Sequence, residues 1–344
     1  MLELLDTIVE NGDRRLVLAT LTDVEHSAPR DAGAVMLVSG DGAIWGSISG
    51  GCVEAALVHE AESTRETSTG RLVTYGVSNA DAQAVGLTCG GTLHVFLEPV
   101  NSEIFASVRE RLQQERLLAL GMCTSGAHIG ARLFIFETGQ IGTLGETALD
   151  SAVAAGELTT GKGVFVQYFH APPDMYVFGA VDFTRATVRI AKFLGYRVTV
   201  CDARPAFTNA ERFPEADRVV VQWPHEFLQD APVDDRTAII VLTHDEKFEI
   251  PLLQTALATR AEYIGVMGSR RTHAHRIECL REIGVREDQL ERLSAPIGLD
   301  IGARTPQETA IAIAAEIVAL RNARSGGRLT GGEGSVRGRA LQRN

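Results

Sequence analysis

The stretch MYVFGAVDFTRATVRIAKFLGYRVTVCD, residues 175–202, decides the fold class of the chain that contains it. Met175 to Phe178 is an apolar run of strand length, and Gly179 ends it. Phe183 to Leu194 then reads as a helix, and Arg197 to Cys201 as a second strand followed by Asp202. A strand, a glycine turn, a helix and a second strand closed by an acid make the opening of a dinucleotide fold. Gly179 stands at the first glycine of G-x-G-x-x-G, and Asp202 stands where the ribose acid would be. Val181 fills the position where a missing side chain lets pyrophosphate approach, and Asp182 adds negative charge beside it. The expectation is a Rossmann-like domain in which ordinary NAD(P) binding is compromised.

The alternation continues downstream with strands at Arg218 to Val221 and Ala238 to Leu242, helices lying between and after them. Such alternation predicts a parallel, doubly wound sheet. Thr305-Pro306-Gln307-Glu308 is a capping box that opens a last helix carrying Ile311, Ala314, Ile317 and Val318. Upstream, Pro172-Pro173 disfavours helix and marks a linker. The first half reads differently. It has a helix at Leu2 to Asn11, a strand at Leu16 to Thr22, and a hairpin of Ala34 to Val38 with Ala43 to Ser47. A helix at Val53 to Thr67 follows, then strands at Arg71 to Tyr75 and Thr92 to Leu97. Ser102 would cap a helix to about Glu115, and strand-like runs at Leu117 to Met122, Ala131 to Phe136 and Gln140 to Thr143 suggest a mixed sheet. The expected division is a mixed α/β domain over 1–170, a Rossmann-like domain over 171–324, and a Gly- and Arg-rich disordered tail over 325–344.

Composition excludes several classes. Of 33 basic and 44 acidic residues, residues 1–170 hold 10 and 21, leaving 23 and 23 for residues 171–344. All the excess acid lies in the first half, which weighs against nucleic acid as a partner. No apolar stretch reaches the length of a membrane span or a signal peptide, so a cytoplasmic protein is expected. Five widely spaced cysteines, with no C-x-x-C pair, argue against a disulfide framework and signal no local zinc site.

Chemistry concentrates in a few loops. In GSISGGCVE, residues 46–54, a strand leads through Gly50 and Gly51 into a helix, with Cys52 at or just before its N-terminus. Exposed amides and the helix dipole there would favour a thiolate or an anion; a small buried cysteine in a tight turn is the alternative. Thr88-Cys89-Gly90-Gly91 is a second cysteine turn, whereas Cys123, Cys201 and Cys279 sit in or beside apolar runs and read as core. Arg30, in the loop leading to Gly33, is a candidate phosphate donor. Three segments fall where strands should end: Thr243-His244-Asp245, Gly265 to Arg271, and Pro296 to Gly302. Ser269 can cap a helix there, Arg270 and Arg271 can meet an anion, and the three segments together predict an anion-binding crevice.

From about Leu16 to Arg321 the chain resembles the XdhC/CoxI family of molybdenum-cofactor maturation proteins. The resemblance is carried by GSISGGCVE (46–54), LTCGG (87–91), GVMGSRRTHAHR (265–276) and PIGLDIGARTPQETAIAIAAEI (296–317). It implies a CoxI-like first domain and a Rossmann-like second one. It also implies binding of molybdenum cofactor, support of its sulfuration with a cysteine desulfurase, and delivery to an apo molybdenum hydroxylase of xanthine-dehydrogenase or CO-dehydrogenase type. Relatives imply a homodimer. Gly50, Gly51, Cys52 and Glu54 match the signature turn of the family, and Cys89, Gly90 and Gly91 match its second cysteine turn. His244, Ser269, Arg270 and Arg271 match its C-terminal segments. On this reading Cys52, with Cys89, contacts the molybdenum or presents sulfur to it. Gly179 and Asp202 belong to a nucleotide position from which GAVDFT (179–184) departs, because many relatives carry Gly-Ala-Gly-His there. Two rival expectations remain: an NAD(P)-dependent oxidoreductase, and a docking factor for the apo-hydroxylase that never touches cofactor.

Overall fold

The computed structural model describes residues 1–26, 28–76 and 91–330, and these form two compact units, Met1–His170 and Ala171–Thr330. In the first unit β1 (Val17–Glu25), β2 (Val35–Val38), β3 (Ile44–Gly46), β4 (Arg71–Tyr75) and β5 (Thr92–Pro99) form a sheet in the order β3-β2-β1-β5-β4. A second sheet of β6 (Leu117–Cys123), β7 (Arg132–Phe136), β8 (Gly139–Gly142) and β9 (Val164–Tyr168) has the order β8-β7-β6-β9.

Every described pair in both sheets is antiparallel. The expected mixed sheet is therefore corrected to two antiparallel ones. Hairpins such as β7–β8 are joined by two residues, far too few for a parallel crossover. The alternation of side chains along β1, β2 and β5 explains why the first sheet is buried on both faces. Leu18, Leu37 and Phe96 point to a core with Phe105, Phe134 and Phe165. Val17, Met36 and Val95 point the other way, onto Val53, Leu57 and Ala61 around the helix Glu54–Thr67.

Two local expectations shift. Asn101, not Ser102, caps the helix Ser102–Arg111, its side chain accepting from the Glu103 amide at 3.0 Å, and that helix ends before Glu115. A helix at Thr147–Ala154 and the strand β9 occupy a region where no element was expected.

In the second unit β10 (Asp174–Phe178), β11 (Arg197–Asp202), β12 (Arg218–Val221), β13 (Ala238–Val241), β14 (Tyr263–Val266) and β15 (Leu293–Ser294) form one sheet. The order β12-β11-β10-β13-β14-β15 is wholly parallel, and renumbered within the unit it is 3-2-1-4-5-6, the dinucleotide-fold order. Tyr176, Phe178, Ile239 and Val241 face Leu252 and Leu253 of the helix Glu246–Ala258. Met175, Val177, Ile240 and Leu242 face Val188 of the helix Asp182–Phe193 and Ile313 and Ile317 of the helix Pro306–Arg321. The capping box forms, with Thr305 and Glu308 each accepting the other's amide at 3.2 and 2.9 Å. Among the described residues no helix is long and apolar enough to cross a membrane.

Candidate functional site

The strand register brings several loops of the first unit to one end of its first sheet. Thr20 pairs with Val35, Met36 with Gly46, and Tyr75 with Leu93. The β1–β2 loop with Arg30, the turn after β3 and the start of β5 beside Gly91 therefore share that end. Arg30 is exposed there and Gly91 is buried. Cys89 and Gly90 lie outside the described residues.

The turn after β3 folds around a single carboxylate. Glu54, the first residue of its helix, turns back and accepts the amides of Ile48 (3.1 Å), Ser49 (2.8 Å) and Gly50 (3.1 Å) on Oε1, and that of Gly51 (2.9 Å) on Oε2. The hydroxyls of Ser47 and Ser49 donate to the same group, each at 2.7 Å. Gly50 and Gly51 have φ of +78° and +123°, which is what lets successive amides converge on one acceptor. Burial pushes the Glu54 carboxyl up, but the two hydroxyls and the amides outweigh it and hold it at about 2. The expectation that these amides stand free for an external anion is therefore corrected: this chain's own carboxylate fills the nest. Cys52 lies two residues before the helix, half-buried against the core cluster of Val53, and its amide donates to Ser49 Oγ at 2.9 Å.

In the second unit the turn after β10 also closes on an acid of the chain. The Ala180 amide donates to Asp202 Oδ2 at 2.8 Å, and the Val181 amide donates to Thr184 Oγ1 at 3.3 Å. Asp202 is 4% exposed and takes both arms of Arg204 at 2.9 and 2.7 Å. Its burial raises the carboxyl, but the Arg204 bonds and the Ala180 amide prevail and hold it below the ordinary range. Arg212 donates to the Phe207 carbonyl at 2.9 Å and to the Ala180 carbonyl at 3.4 Å. The acid at the ribose position is thus engaged within the fold.

Two of the three C-terminal segments converge. Gly268 to Arg271 and Pro296 to Ala303 line one cavity of about 720 Å3 together with Phe183. The Ile297 amide donates to the Val266 carbonyl at 3.0 Å, and the Gly298 amide to Glu316 at 2.9 Å, which fixes the loop on the helix Pro306–Arg321. Ser269 caps the helix Arg270–Glu282, accepting the Thr272 amide at 3.1 Å, and Arg270 and Arg271 are exposed at the mouth. His244 is exposed in the loop after β13 and is not part of this lining.

Residues 10–76 match the XdhC and CoxI family, and residues 175–317 match the XdhC Rossmann domain. The chain belongs to the XdhC and CoxI family. It is 28% identical over 329 residues to a Bacillus subtilis protein described as a probable subunit of xanthine dehydrogenase, covering 92% of this chain and 96% of that one. It is also 28% identical over 306 residues to the molybdenum cofactor insertion chaperone PaoD of Escherichia coli, covering 89% of this chain and 83% of that one. A crystal structure from Bacillus halodurans, described as a xanthine dehydrogenase, has 28% identity and a TM-score of 0.69, covering 94% of this chain and 96% of that one.

In this XdhC/CoxI chain the remaining cysteines divide. Cys123 and Cys201 are buried, as expected, and burial pushes the Cys201 thiol to about 12. Cys279 is half-buried on a helix surface, 3.7 Å from His275 Nε2, so its expected place in the core is corrected. Among the described residues no three of His, Cys, Asp and Glu gather as a metal site. Sequence reasoning missed Ser47, Ser49 and Arg204, the partners that occupy the two acids. Arg204 stood two residues beyond Asp202, close enough to have been suspected.

Proposed function

We propose that this protein is a molybdenum-cofactor chaperone acting in the cytoplasm, which holds the cofactor, supports its sulfuration and passes it to an apo molybdenum hydroxylase. The observation that carries the reading is its likeness, over 89% of its length, to the cofactor insertion chaperone PaoD. The half-buried Cys52 thiol on a fixed turn suits it, because a soft sulfur ligand can contact molybdenum or present sulfur beside it. Partial burial also limits the access of oxidants to such a group. Cys89 is proposed as a second thiol of that site.

Because the Glu54 carboxylate fills the amide nest beside Cys52, the pterin phosphate is assigned elsewhere. Its candidates are Arg30 in the first unit and, in the second, the cavity at Ser269, Arg270 and Arg271. The finer partners are a cysteine desulfurase for the sulfuration step and a hydroxylase of xanthine-dehydrogenase or CO-dehydrogenase type. A homodimer completes the proposal.

Anaerobic titration of the full chain with molybdenum cofactor tests the reading, with wild type beside Cys52→Ser and Cys89→Ser. Binding that weakens roughly tenfold or more in Cys52→Ser is the expected result. Undiminished binding by both variants would remove the thiol role, and no binding by wild type would favour the docking factor. The 3-2-1-4-5-6 strand order favours a second reading, an NAD(P)-dependent oxidoreductase. The engagement of Asp202 by Arg204 and of the Ala180 amide by Asp202 weighs against it. A saturable titration with NAD(H) or NADP(H) would reinstate it.

A further inference from the structure

We infer that Glu54 is a positioning residue for the Cys52 thiol, a built-in anion that stands in the nest where a ligand's anion would otherwise sit. The inference rests on the thiol reading above for its purpose, but its geometry is independent of it.

Four amides in succession, Ile48 to Gly51, and two hydroxyls donate to this one carboxylate. Ser49 extends the hold to the cysteine itself. It is 2% exposed; its hydroxyl donates to Glu54 Oε2 and accepts the amides of Cys52 and Val53 at 2.9 and 3.0 Å. The backbone of Cys52 is therefore tied to Glu54 through one hydroxyl whose donor and acceptor capacities are both in use. Among the described residues nothing lies within 4 Å of the position of a side chain on Gly50 or Gly51, whereas Ile48 and Val53 anchor the ends of the turn in the core. Between those anchors the turn is held by the charge of Glu54. Four converging amides without an anion would repel one another and reopen the turn, carrying the thiol with them.

An ionic brace differs from a packing contact in one way that can be measured: a small external anion can replace it. The test is the rate of iodoacetamide labelling of Cys52 in the full chain, followed on its peptide by mass spectrometry. Glu54→Ala is expected to label severalfold faster than wild type. Formate, which fits the vacated carboxylate position, is expected to slow the variant towards the wild-type rate while leaving wild type unchanged. An unchanged rate in Glu54→Ala overturns the inference. So does a raised rate that formate leaves unaffected, because Glu54 would then act by packing. Should Glu54→Ala fail to fold, Glu54→Gln and Glu54→Asp carry the test. Gln, which presents its own donors to the amides, should label faster than Asp, and equal rates overturn the inference. The cofactor titration separates the two failures. Formate rescue alongside full cofactor binding by Cys52→Ser removes the thiol reading and leaves the brace. Weakened binding by Cys52→Ser without formate rescue does the reverse.

Discussion

The turn at 46–54 and the turn at 178–184 begin alike: each follows a strand, each uses a glycine at positive φ, and each runs into a helix. Each also points backbone N–H at a carboxylate of this chain, four amides at Glu54 in the first and the Ala180 amide alone at Asp202 in the second. The difference is where that carboxylate comes from. Glu54 lies within seven residues of every group it binds, so the first turn is a self-contained device. Asp202 comes from the neighbouring strand, 22 residues beyond Ala180, so the second turn keeps its bond to the acid only while β10 and β11 are paired, Thr184 bracing it locally. The first turn leaves a thiol half-buried at its edge; the second is closed by Val181 and overlain by Arg212. One holds a cysteine at its edge. The other keeps the frame of a nucleotide site and fills its polar positions from within.

The comparison breaks most sharply at the glycines. A side chain on Gly179 would stand 2.8 Å from the Thr243 amide and 3.1 Å from the Leu242 carbonyl carbon, at a φ of +109°. Both contacts are backbone at the end of the adjoining strand, which cannot step aside without disturbing β13. Gly179→Ala should cost about 3 kcal/mol or more, combining overpacking with an unfavourable dihedral. Trp223 lies in the second unit and Trp45 in the first, so urea unfolding followed in single-tryptophan variants assigns the loss. A loss seen by Trp45 alone would contradict the dependence of the second turn on its sheet.

A smaller effect, about 1–2 kcal/mol, is expected from the charge of Glu54. Its folded pKa of about 2 lies below the unfolded value near 4.3, so the contribution is fully present above that value and is lost as pH falls towards 2. Because the group is partly open to solvent, the measured effect should be smaller than the shift alone implies. The urea midpoint reported by Trp45 should therefore fall on acidification in wild type. It should fall less steeply in Glu54→Gln, which has no such proton to take up. Parallel pH profiles would show that other carboxylates of this acidic unit dominate.

Much of the second unit was legible because its landmarks are local. Met175 to Phe178 and Arg197 to Cys201 are apolar runs bounded by Gly179 and Asp202, and the T-P-Q-E box states its own helix start. β14 and β15 were not legible: four residues interrupted by Gly265, and two at Leu293–Ser294, carry no period to detect. The loops beyond them were nevertheless legible as strand ends and, taken together, as an anion-binding crevice; the cavity joins Ser269 to Gly298 and leaves out His244. At the first turn the sequence named the residues but not their roles. The Gly51-to-Glu54 contact has the three-residue reach of a capping box, and that spacing was a usable sign that Glu54 faces its own backbone.

The smallest effect belongs to Gly50→Ala, and it sharpens the contrast with Gly179. Gly50 has a φ of +78°, yet among the described residues nothing stands within 4 Å of a side chain placed there. An alanine there meets none of those residues and is expected to bear the cost of the left-handed backbone, about 1 kcal/mol. If the loss seen by Trp45 matches that figure, position 50 is set by dihedral freedom and charge, and the packing of the turn is confined to Ile48 and Val53. A loss as large as that of Gly179→Ala would mean that all four amides must converge on Glu54 within a few tenths of an ångström. Glu54→Gln would then cost correspondingly more than the pH profile alone suggests. Gly50 and Gly179 are both read as a glycine after a strand, but one is required by the direction of its amide and the other by the nearness of a neighbouring strand.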